Sequence, residues 1–335
     1  MRFGLAIPQY GFSLPGHEPI AFEVAATWAR RAETMGFDSV WLSDHFFYSF
    51  GRYGADPAPI AALEPMTTLA GLAAVTSRIR LGTLVLCAPF RHPSLLAKMA
   101  TTLDGISGGR FDLGVGAGWL ADEFDAFGFR FGSVGERFAS LEETLGVLSA
   151  LQSGSPARFD GPTVSLRDAR LLPAPVGGTV PVWVGGKGGP RLLRLAARFA
   201  DGWNTVWRVD PGAYAERVSA ARVACEAEGR DPATMRFSVG LHALVGEDEA
   251  AARAAFERGR EGFPGGALDH ETWASWRADT LSGSADQAME RVKELEAMGV
   301  EEIVVSPWVL PFAVHEPEVV ETFARRVIAP LHGTG

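Results

Sequence analysis

Asp44 and His45, in the run SDHF, are the neighbouring side chains of this chain best suited to proton transfer. An imidazole with an ordinary pKa of about 6.5 can accept the proton of a substrate hydroxyl near neutral pH, or return one. The sequence therefore indicates His45 as a general acid–base, with Asp44 beside it. The alternative is a histidine that only caps the end of a strand. Glu64 and Glu123 are further acids, and we expect each to cap a helix or pair on the surface.

The run RFDLGVGAGW, residues 110–119, carries an apolar strand into three glycines at alternate positions. Such glycines let the backbone approach a flat or anionic ligand closely. The run lacks the GxGxxG spacing of a dinucleotide-binding finger, and no acidic residue ends a second strand about 20 residues later. Three strands also precede it, whereas the finger normally belongs to the first. We therefore interpret it as the end of one strand in a larger sheet.

Lys187 lies among four glycines in GGKGG, residues 185–189, just before a helical pattern. A cation together with free backbone N–H groups at the start of a helix suits a phosphate group. The run is not a P-loop, because Gly188 stands where a Ser or Thr would bind magnesium. The alternative is a flexible turn with an exposed lysine.

The two cysteines, Cys87 and Cys225, give neither a disulfide framework nor a CxxC metal site, and no metal site is predicted. Cys87 follows the third strand and is interpreted as a packing residue. His242, on the seventh strand, is equally compatible with a place against the substrate and with a place in the core.

The elements that must position these residues alternate along the chain as short apolar runs and helical patterns. Ser284 and Gln287 form the capping-box pattern of one such helix. Another has an apolar stripe of Leu96, Met99, Leu103 and Ile106. Eight strands, each followed by a helix, predict a single α/β domain over residues 1–335, a (β/α)8 TIM barrel, with an open eight-stranded sheet as the alternative. The strand-like runs begin near Phe3, Ser39, Ile79, Phe111, Val182, Gly202, Phe237 and Ile303.

Three long segments interrupt this alternation, after strands 2, 4 and 7. The first is rich in aromatic residues, glycine and proline, the second resembles a small β excursion, and the third contains two tryptophans. Loops of this length usually line a site or form a lid, and the alternative is a decorative insertion. In a barrel, the loops that follow the strands converge on one face, where catalysis takes place. The three insertions are residues 46–63, 158–179 and 260–283.

Composition excludes several classes of protein. The chain is 47% hydrophobic and 21% charged, as in globular proteins that fold in water. A formal net charge of −9 without a basic cluster argues against a nucleic-acid partner. The apolar run at the amino terminus is too short for a signal peptide, and no stretch reaches the roughly 18 apolar residues of a membrane span. We expect a soluble cytoplasmic protein that acts on a small molecule.

Several runs resemble the luciferase-like flavin and deazaflavin oxidoreductases over nearly the whole chain: GFDSVWLSDHF, SRIRLGTLVL, FRHPSLLAKMATTLDGISGGRFDLGVGAGW, GERFASLEETL, PVWVGGKG and ARFADGWN. SDHF together with GAGW is most similar to the F420-dependent branch. The resemblance implies a (β/α)8 barrel that binds coenzyme F420, or alternatively FMN, at the carboxyl ends of its strands. It also implies a homodimer.

The resemblance further assigns roles to individual residues. His45 is implied as the base or a hydrogen-bond donor, and Asp44 as a contact of the deazaflavin. A bulge with a non-prolyl cis peptide is implied between Leu84 and Val85, beneath the cofactor ring. Trp119 replaces a catalytic glutamate of the family's sugar-phosphate dehydrogenases, which argues for a less polar substrate. The implied cofactor-binding residues are Asp44, Leu84, Val85, Ala117, Gly118, Trp119, Gly185, Gly186, Lys187 and Gly188; an aromatic wall is expected from Phe46, Phe47, Tyr48, Trp119, Trp203 and Trp207.

The function expected from these features is F420-dependent hydride transfer to or from a small organic substrate. The first alternative is an FMNH2-dependent monooxygenase that uses O2, because reduced FMN reacts with oxygen and F420 does not readily do so. A second is a flavin-binding protein without catalysis, although the SDH run is intact. A nicotinamide dehydrogenase on the same barrel has no fingerprint to support it.

Overall fold

The computed structural model describes residues 1–333, so the last two residues of the domain predicted over 1–335 lie outside the described residues. Eight parallel strands form a sheet in which each strand pairs with the next in the chain, and the eighth pairs with the first. The predicted closed α/β barrel is thus confirmed, and the open-sheet alternative is wrong. The strands are β1 Arg2–Ala6, β2 Ser39–Leu42, β3 Arg80–Thr83, β4 Phe111–Gly116, β5 Val182–Gly185, β6 Gly202–Thr205, β7 Arg236–His242 and β8 Val300–Ser306.

Helices follow each strand and cover the outside of the barrel, where a layer of apolar side chains from both forms the main core. The helices are α1 Phe22–Thr34, α2 Pro65–Val75, α3 Pro93–Ser107, α4 Ala121–Ala126, α5 Val134–Leu151, α6 Pro190–Phe199, α7 Pro211–Ala227, α8 Glu249–Glu261, α9 Trp273–Ala278, α10 Ala285–Ala297, α11 Pro317–Phe323 and α12 Ala329–His332.

Local sequence signals account for the ends of several helices. Ser284 accepts a hydrogen bond from the Gln287 backbone, and the Gln287 side chain accepts one from the Ser284 N–H, which confirms the predicted capping box. In α3, Leu96 and Leu103 are buried as predicted, but Ile106 is 51% exposed. The buried face of α3 continues through Ser107 instead, so Ile106 lies to one side of it.

The three predicted insertions differ in where they pack. After β2, Phe47–Tyr48 pairs with Ile60–Ala61 in a short hairpin. The ring of Tyr53 in that insertion lies 5.4 Å from that of Phe263, in the insertion after β7. These two insertions therefore contact each other. The insertion after β4 forms a hairpin of Ala157–Asp160 with Ser165–Ala169 and packs on α5, where Glu143 accepts hydrogen bonds from Thr163 and Val164.

Two tryptophans fill the lumen of the barrel. A Cβ added to Gly82 would lie 2.3 Å from the Trp41 ring, and one added to Gly202 would lie 2.3 Å from the Trp183 ring. The strands carry glycine at these positions because the indoles take up the space. Below Trp41, Glu302 accepts hydrogen bonds within the barrel and pairs with Arg2 at 3.0 Å. Because the lumen is packed with side chains, a ligand has to bind above it, at the carboxyl ends of the strands.

Candidate active site

The segments that follow β2, β3, β4 and β5 bring the predicted site residues to one mouth of the barrel. The His45 and Trp119 rings meet edge to face, with their centroids 5.8 Å apart. The Val85 side chain lies against the glycines at the ends of β4 and β5. Segments far apart in the chain therefore contribute to one surface, as the barrel predicts.

The His45 ring is held by a buried carboxylate. Its Nδ1 lies 2.9 Å from Oε2 of Glu123, a residue in the first turn of α4. The side chain of His45 is 12% exposed and that of Glu123 is 2% exposed. A carboxylate only accepts hydrogen bonds, so Nδ1 carries the proton and Nε2 of the neutral ring is left with a lone pair. The pair can therefore accept a proton at Nε2, and Glu123 stabilises the imidazolium that forms.

Glu123 also holds the backbone that follows His45. Its Oε1 accepts hydrogen bonds from the Phe46 N–H at 2.7 Å and from the Phe47 N–H at 3.4 Å. The expectation that Glu123 lies on the surface was therefore wrong, because α4 folds back over the start of the β2 insertion. Glu64 does behave as expected: its carboxylate caps α2 by accepting from the Thr67 N–H.

Both oxygens of Asp44 are engaged by the segment that follows β3. Oδ2 accepts from the Cys87 N–H at 2.8 Å, and Arg91 donates to both carboxylate oxygens at 2.5 and 2.9 Å. Arg91 also pairs with Glu64 at 2.7 Å. Burial alone would lower the pKa of Arg91, but the hydrogen bonds and charge of Asp44 raise it. Asp44 thus fixes the position of residues 87–91, and its contact with a cofactor stays a prediction.

Leu84 and Val85 form the floor of the mouth. The peptide bond between them is cis, which confirms the predicted geometry. A Cβ on Gly116 or Gly185 would lie 2.8 or 2.5 Å from Val85 methyl groups. The bare glycine backbones of β4 and β5 therefore make room for Val85. The result is an apolar surface.

The residues that follow β4 lie beside the segment that follows β3. Gly118 has a φ of +76°, and a Cβ there would lie 2.5 Å from Cys87 Sγ, so glycine is required on both counts. Ala117 is partly buried, whereas Trp119 is 50% exposed. Cys87 is buried as a packing residue, and burial raises the pKa of its thiol.

The glycine-rich run after β5 precedes the amino terminus of α6. No side chain caps that helix, and Lys187 is exposed in the loop before it. Trp203 donates from Nε1 to the Gly186 carbonyl at 2.9 Å, and Arg217 donates from Nε to the Lys187 carbonyl at 2.6 Å. Such a loop offers backbone N–H groups, a helix terminus and cations to a phosphate.

The aromatic wall is only partly the one expected. Tyr48 and Trp119 lie beside His45, as predicted. Trp203 does not join them: it is fully buried and stacks on Tyr214 behind the glycine-rich loop. Phe46 and Phe47 turn outward to Phe127. Side chains that the sequence did not single out complete the wall, namely Tyr10, Phe12, Trp308 and Phe312.

The remaining half of the mouth surrounds Trp207. Its ring lies 5.3 Å from that of Phe312 and 5.8 Å from that of His242, which is buried at the end of β7. The Val206–Trp207 peptide bond is also cis.

Among residues 1–333, no three His, Cys, Asp or Glu side chains cluster as a metal would require. In the same range, no helix combines the length and apolar character needed to cross a bilayer.

Comparison with known proteins connects this geometry to a family. The model of the family described as "Luciferase-like monooxygenase" matches residues 1–302. An "F420-dependent glucose-6-phosphate dehydrogenase" of Microbacterium testaceum is 36% identical over 56% of this chain and 53% of its own length. An "F420-dependent hydroxymycolic acid dehydrogenase" of Mycobacterium tuberculosis is 33% identical over 71% of this chain and 64% of its own length. The alignments thus span roughly half to two thirds of these relatives.

A solved structure supports the same fold. That of an "F420-dependent secondary alcohol dehydrogenase in complex with an F420-acetone adduct" superimposes with a TM-score of 0.77, covers 98% of each chain and is 20% identical. At that identity the likeness establishes the barrel alone. The match of the family model to most of the sequence establishes more: the chain belongs to the luciferase-like monooxygenase family of oxidoreductases.

Proposed function

We propose that this chain is an F420-dependent oxidoreductase that transfers hydride between coenzyme F420 and a hydroxyl or carbonyl group of a small organic substrate. The observation that carries the proposal is the His45–Glu123 pair at the mouth, with Nε2 of His45 left as the proton acceptor. Oxidation of an alcohol releases one proton for each hydride, so such a reaction requires a base at this place. The names of the F420-dependent relatives support the choice of cofactor.

The described residues fit the ring of such a cofactor. A planar heterocycle needs a flat apolar floor and a backbone without side chains above it. Leu84 and Val85 supply the floor. Ala117 and Gly118 present the backbone, and Gly118 carries no side chain because its Cβ position is taken by Cys87 Sγ. We propose that these residues, with Trp119 at the edge, hold the ring.

The phosphate-bearing tail would bind to the glycine-rich loop. The uncapped start of α6 favours an anion, and Lys187 adds a positive charge. Gly185, Gly186 and Gly188 let the loop pack closely on neighbouring side chains, since a Cβ at each would lie 2.5 to 2.9 Å from one of them. Gly188 has a φ of +72°, and a Cβ there would lie 2.7 Å from Trp203. The loop therefore keeps its shape only with glycine.

When bound, F420 supplies a ring carbon that accepts or returns hydride. The chain supplies the rest of the chemistry. His45 Nε2 takes the hydroxyl proton, the Glu123 carboxylate stabilises the resulting imidazolium, and the same carboxylate keeps Nε2 directed away from itself by binding Nδ1–H. In the reverse direction His45 returns the proton to the carbonyl oxygen. The aromatic side chains around the ring keep water away from the reacting atoms.

Asp44 has a supporting role in this proposal. It places residues 87–91, which continue directly from the Leu84–Val85 floor, and it would contact the cofactor in addition. We also propose that residues 1–335 form a single catalytic domain and that two copies associate as a homodimer. Light scattering at micromolar concentration should give twice the chain mass, and a monomer mass would contradict the dimer.

An FMNH2-dependent monooxygenase is the second candidate, because the matched family carries that name and FMN also combines a flat ring with a phosphate. Parallel titration of the purified protein with F420 and FMN, followed by quenching of cofactor fluorescence, decides between them. We expect tighter binding of F420 and reduction of bound F420 by an alcohol in a substrate screen. Preference for FMN with oxygen consumption would favour the monooxygenase. Binding without any turnover would indicate a flavin-binding protein.

A further inference from the structure

His242 has a fixed tautomer that the proposed reaction does not use. Its Nδ1 lies 2.6 Å from the carbonyl oxygen of Trp308, and the residue is 5% exposed. A carbonyl only accepts hydrogen bonds, so Nδ1 carries the proton. Burial lowers the pKa of His242 to about 4, which keeps the ring neutral near pH 7. Nε2 is therefore a hydrogen-bond acceptor, and among residues 1–333 no group donates to it.

The surroundings of His242 are aromatic. The Trp276 ring lies 5.0 Å and the Trp207 ring 5.8 Å from the imidazole. Arg208 stacks over the Trp276 indole, and its charge is neutralised by Asp279 and Glu271. An acceptor among aromatic rings suits a flat molecule that carries one donor group.

A continuous aromatic surface connects the surroundings of His242 to the proposed reaction centre. Tyr10 lies 6.1 Å from the His45 ring and 6.1 Å from the Phe312 ring, and Phe312 lies 5.3 Å from Trp207. This surface occupies the ends of β1, β2, β6, β7 and β8. The glycine-lined surface proposed for the cofactor occupies the ends of β3 to β5. The mouth thus has an aromatic half beside the glycine-lined one.

We propose that His242 is a specificity-determining residue: its Nε2 accepts a hydrogen bond from a hydroxyl or N–H group at one end of a flat, largely apolar substrate. The other end of that substrate carries the reacting group and lies at His45. This inference rests on the proposed function only for the position of the reacting group. A site built around a buried acceptor rejects analogues that lack the donor, because the acceptor is then left unpaired.

The test uses p-cresol as the smallest probe with a ring and a donor, and 4-methylanisole as its match without the donor. Binding to the full chain is followed by ligand-observed NMR titration, and ¹⁵N NMR of the histidine rings reports on Nε2. We expect p-cresol to bind about 10- to 100-fold more tightly and to shift the Nε2 resonance of His242.

Two variants remove the acceptor in different ways. His242→Phe keeps a ring and His242→Leu keeps an apolar side chain, and neither carries a hydrogen-bond acceptor, so at least one should keep the native near-UV circular dichroism. Both should bind the two probes about equally, while His45→Gln should keep the preference for p-cresol. No preference in the unmodified protein, a preference that survives in the folded His242 variants, or its loss in His45→Gln would overturn the inference. F420 titration of the same samples separates these outcomes from failure of the proposed function, since the probe experiment needs no cofactor.

Discussion

Nδ1 of His45 and Oε2 of Glu123 lie 2.9 Å apart although 78 residues separate them in the chain. The contact joins the end of β2 to the first turn of α4, and it determines which ring nitrogen is available to a substrate.

We expect His45→Ala to lower the rate of hydride transfer about 10²- to 10⁴-fold and to leave the affinity for F420 nearly unchanged. The variant loses the proton acceptor but no part of the floor or the phosphate loop. Stopped-flow absorbance of F420, with the best alcohol from a screen, gives the rate. His270→Ala, at an exposed histidine, is the control. Full activity of His45→Ala would remove His45 from the mechanism.

Glu123→Gln keeps the size of the side chain but removes the charge that stabilises protonated His45. We expect a loss of roughly 100-fold or more in the hydride-transfer rate, with little change in cofactor affinity. Asp122→Asn, at the exposed neighbour in the same helical turn, should be close to the unmodified protein. Equal rates in the two variants would mean that the Glu123 charge does not assist His45.

Asp44→Asn should destabilise the fold, because Arg91 then keeps a mostly buried charge without its main partner. The expected loss is about 3–5 kcal/mol in the free energy of unfolding, measured with urea, together with weaker F420 binding. Glu64→Gln removes the more exposed partner of the same arginine and should cost only about 1 kcal/mol. If both variants cost the same, the Asp44–Arg91 pair has no special role in holding residues 87–91.

His242 should make stability depend on pH below neutrality. Its pKa is about 6.5 in the unfolded chain and about 4 in the folded one, so the unfolded chain binds the extra proton first. Above the unfolded pKa, His242 does not lower the free energy of unfolding. As the pH falls from there toward the folded pKa, protonation of the unfolded chain lowers that free energy. Between pH 7 and 5 the loss should be about 2 kcal/mol greater than in His242→Phe. The free energy of unfolding is measured with urea at each pH. An equal loss between pH 7 and 5 in the two proteins would contradict a neutral buried His242.

The barrel was predictable because its signals are local. Each strand is a short apolar run bounded by turn residues. The spacing of Ser284 and Gln287 predicts the start of a helix. His45 and the glycine-rich loops were also accessible, since residues that follow strands of a barrel share one face. The cis bond at Leu84–Val85 came from the resemblance to a family, and no residue signal would have given it.

The role of Glu123 was not predictable in the same way. An acidic residue in the first turn of a helix normally faces solvent and interacts with the helix dipole. Here Phe124 beside it is buried, with its ring 4.7 Å from that of Phe90, and this packing holds α4 against the mouth. The run of aromatic residues after the acid was the available signal. The prediction for Trp203 is wrong because its side chain lies on the outer face of the barrel, in the main core, and not on the face that leads to the mouth.

Trp41 and Gly82 share one volume inside the barrel, and so do Trp183 and Gly202. Neither member of such a pair can change alone: a side chain at 82 collides with the indole, and a small residue at 41 leaves a void. In evolution the two positions of each pair should therefore change together, with a larger residue at position 82 accompanied by a smaller one at position 41. Homologous sequences that break this coupling would need a differently filled lumen.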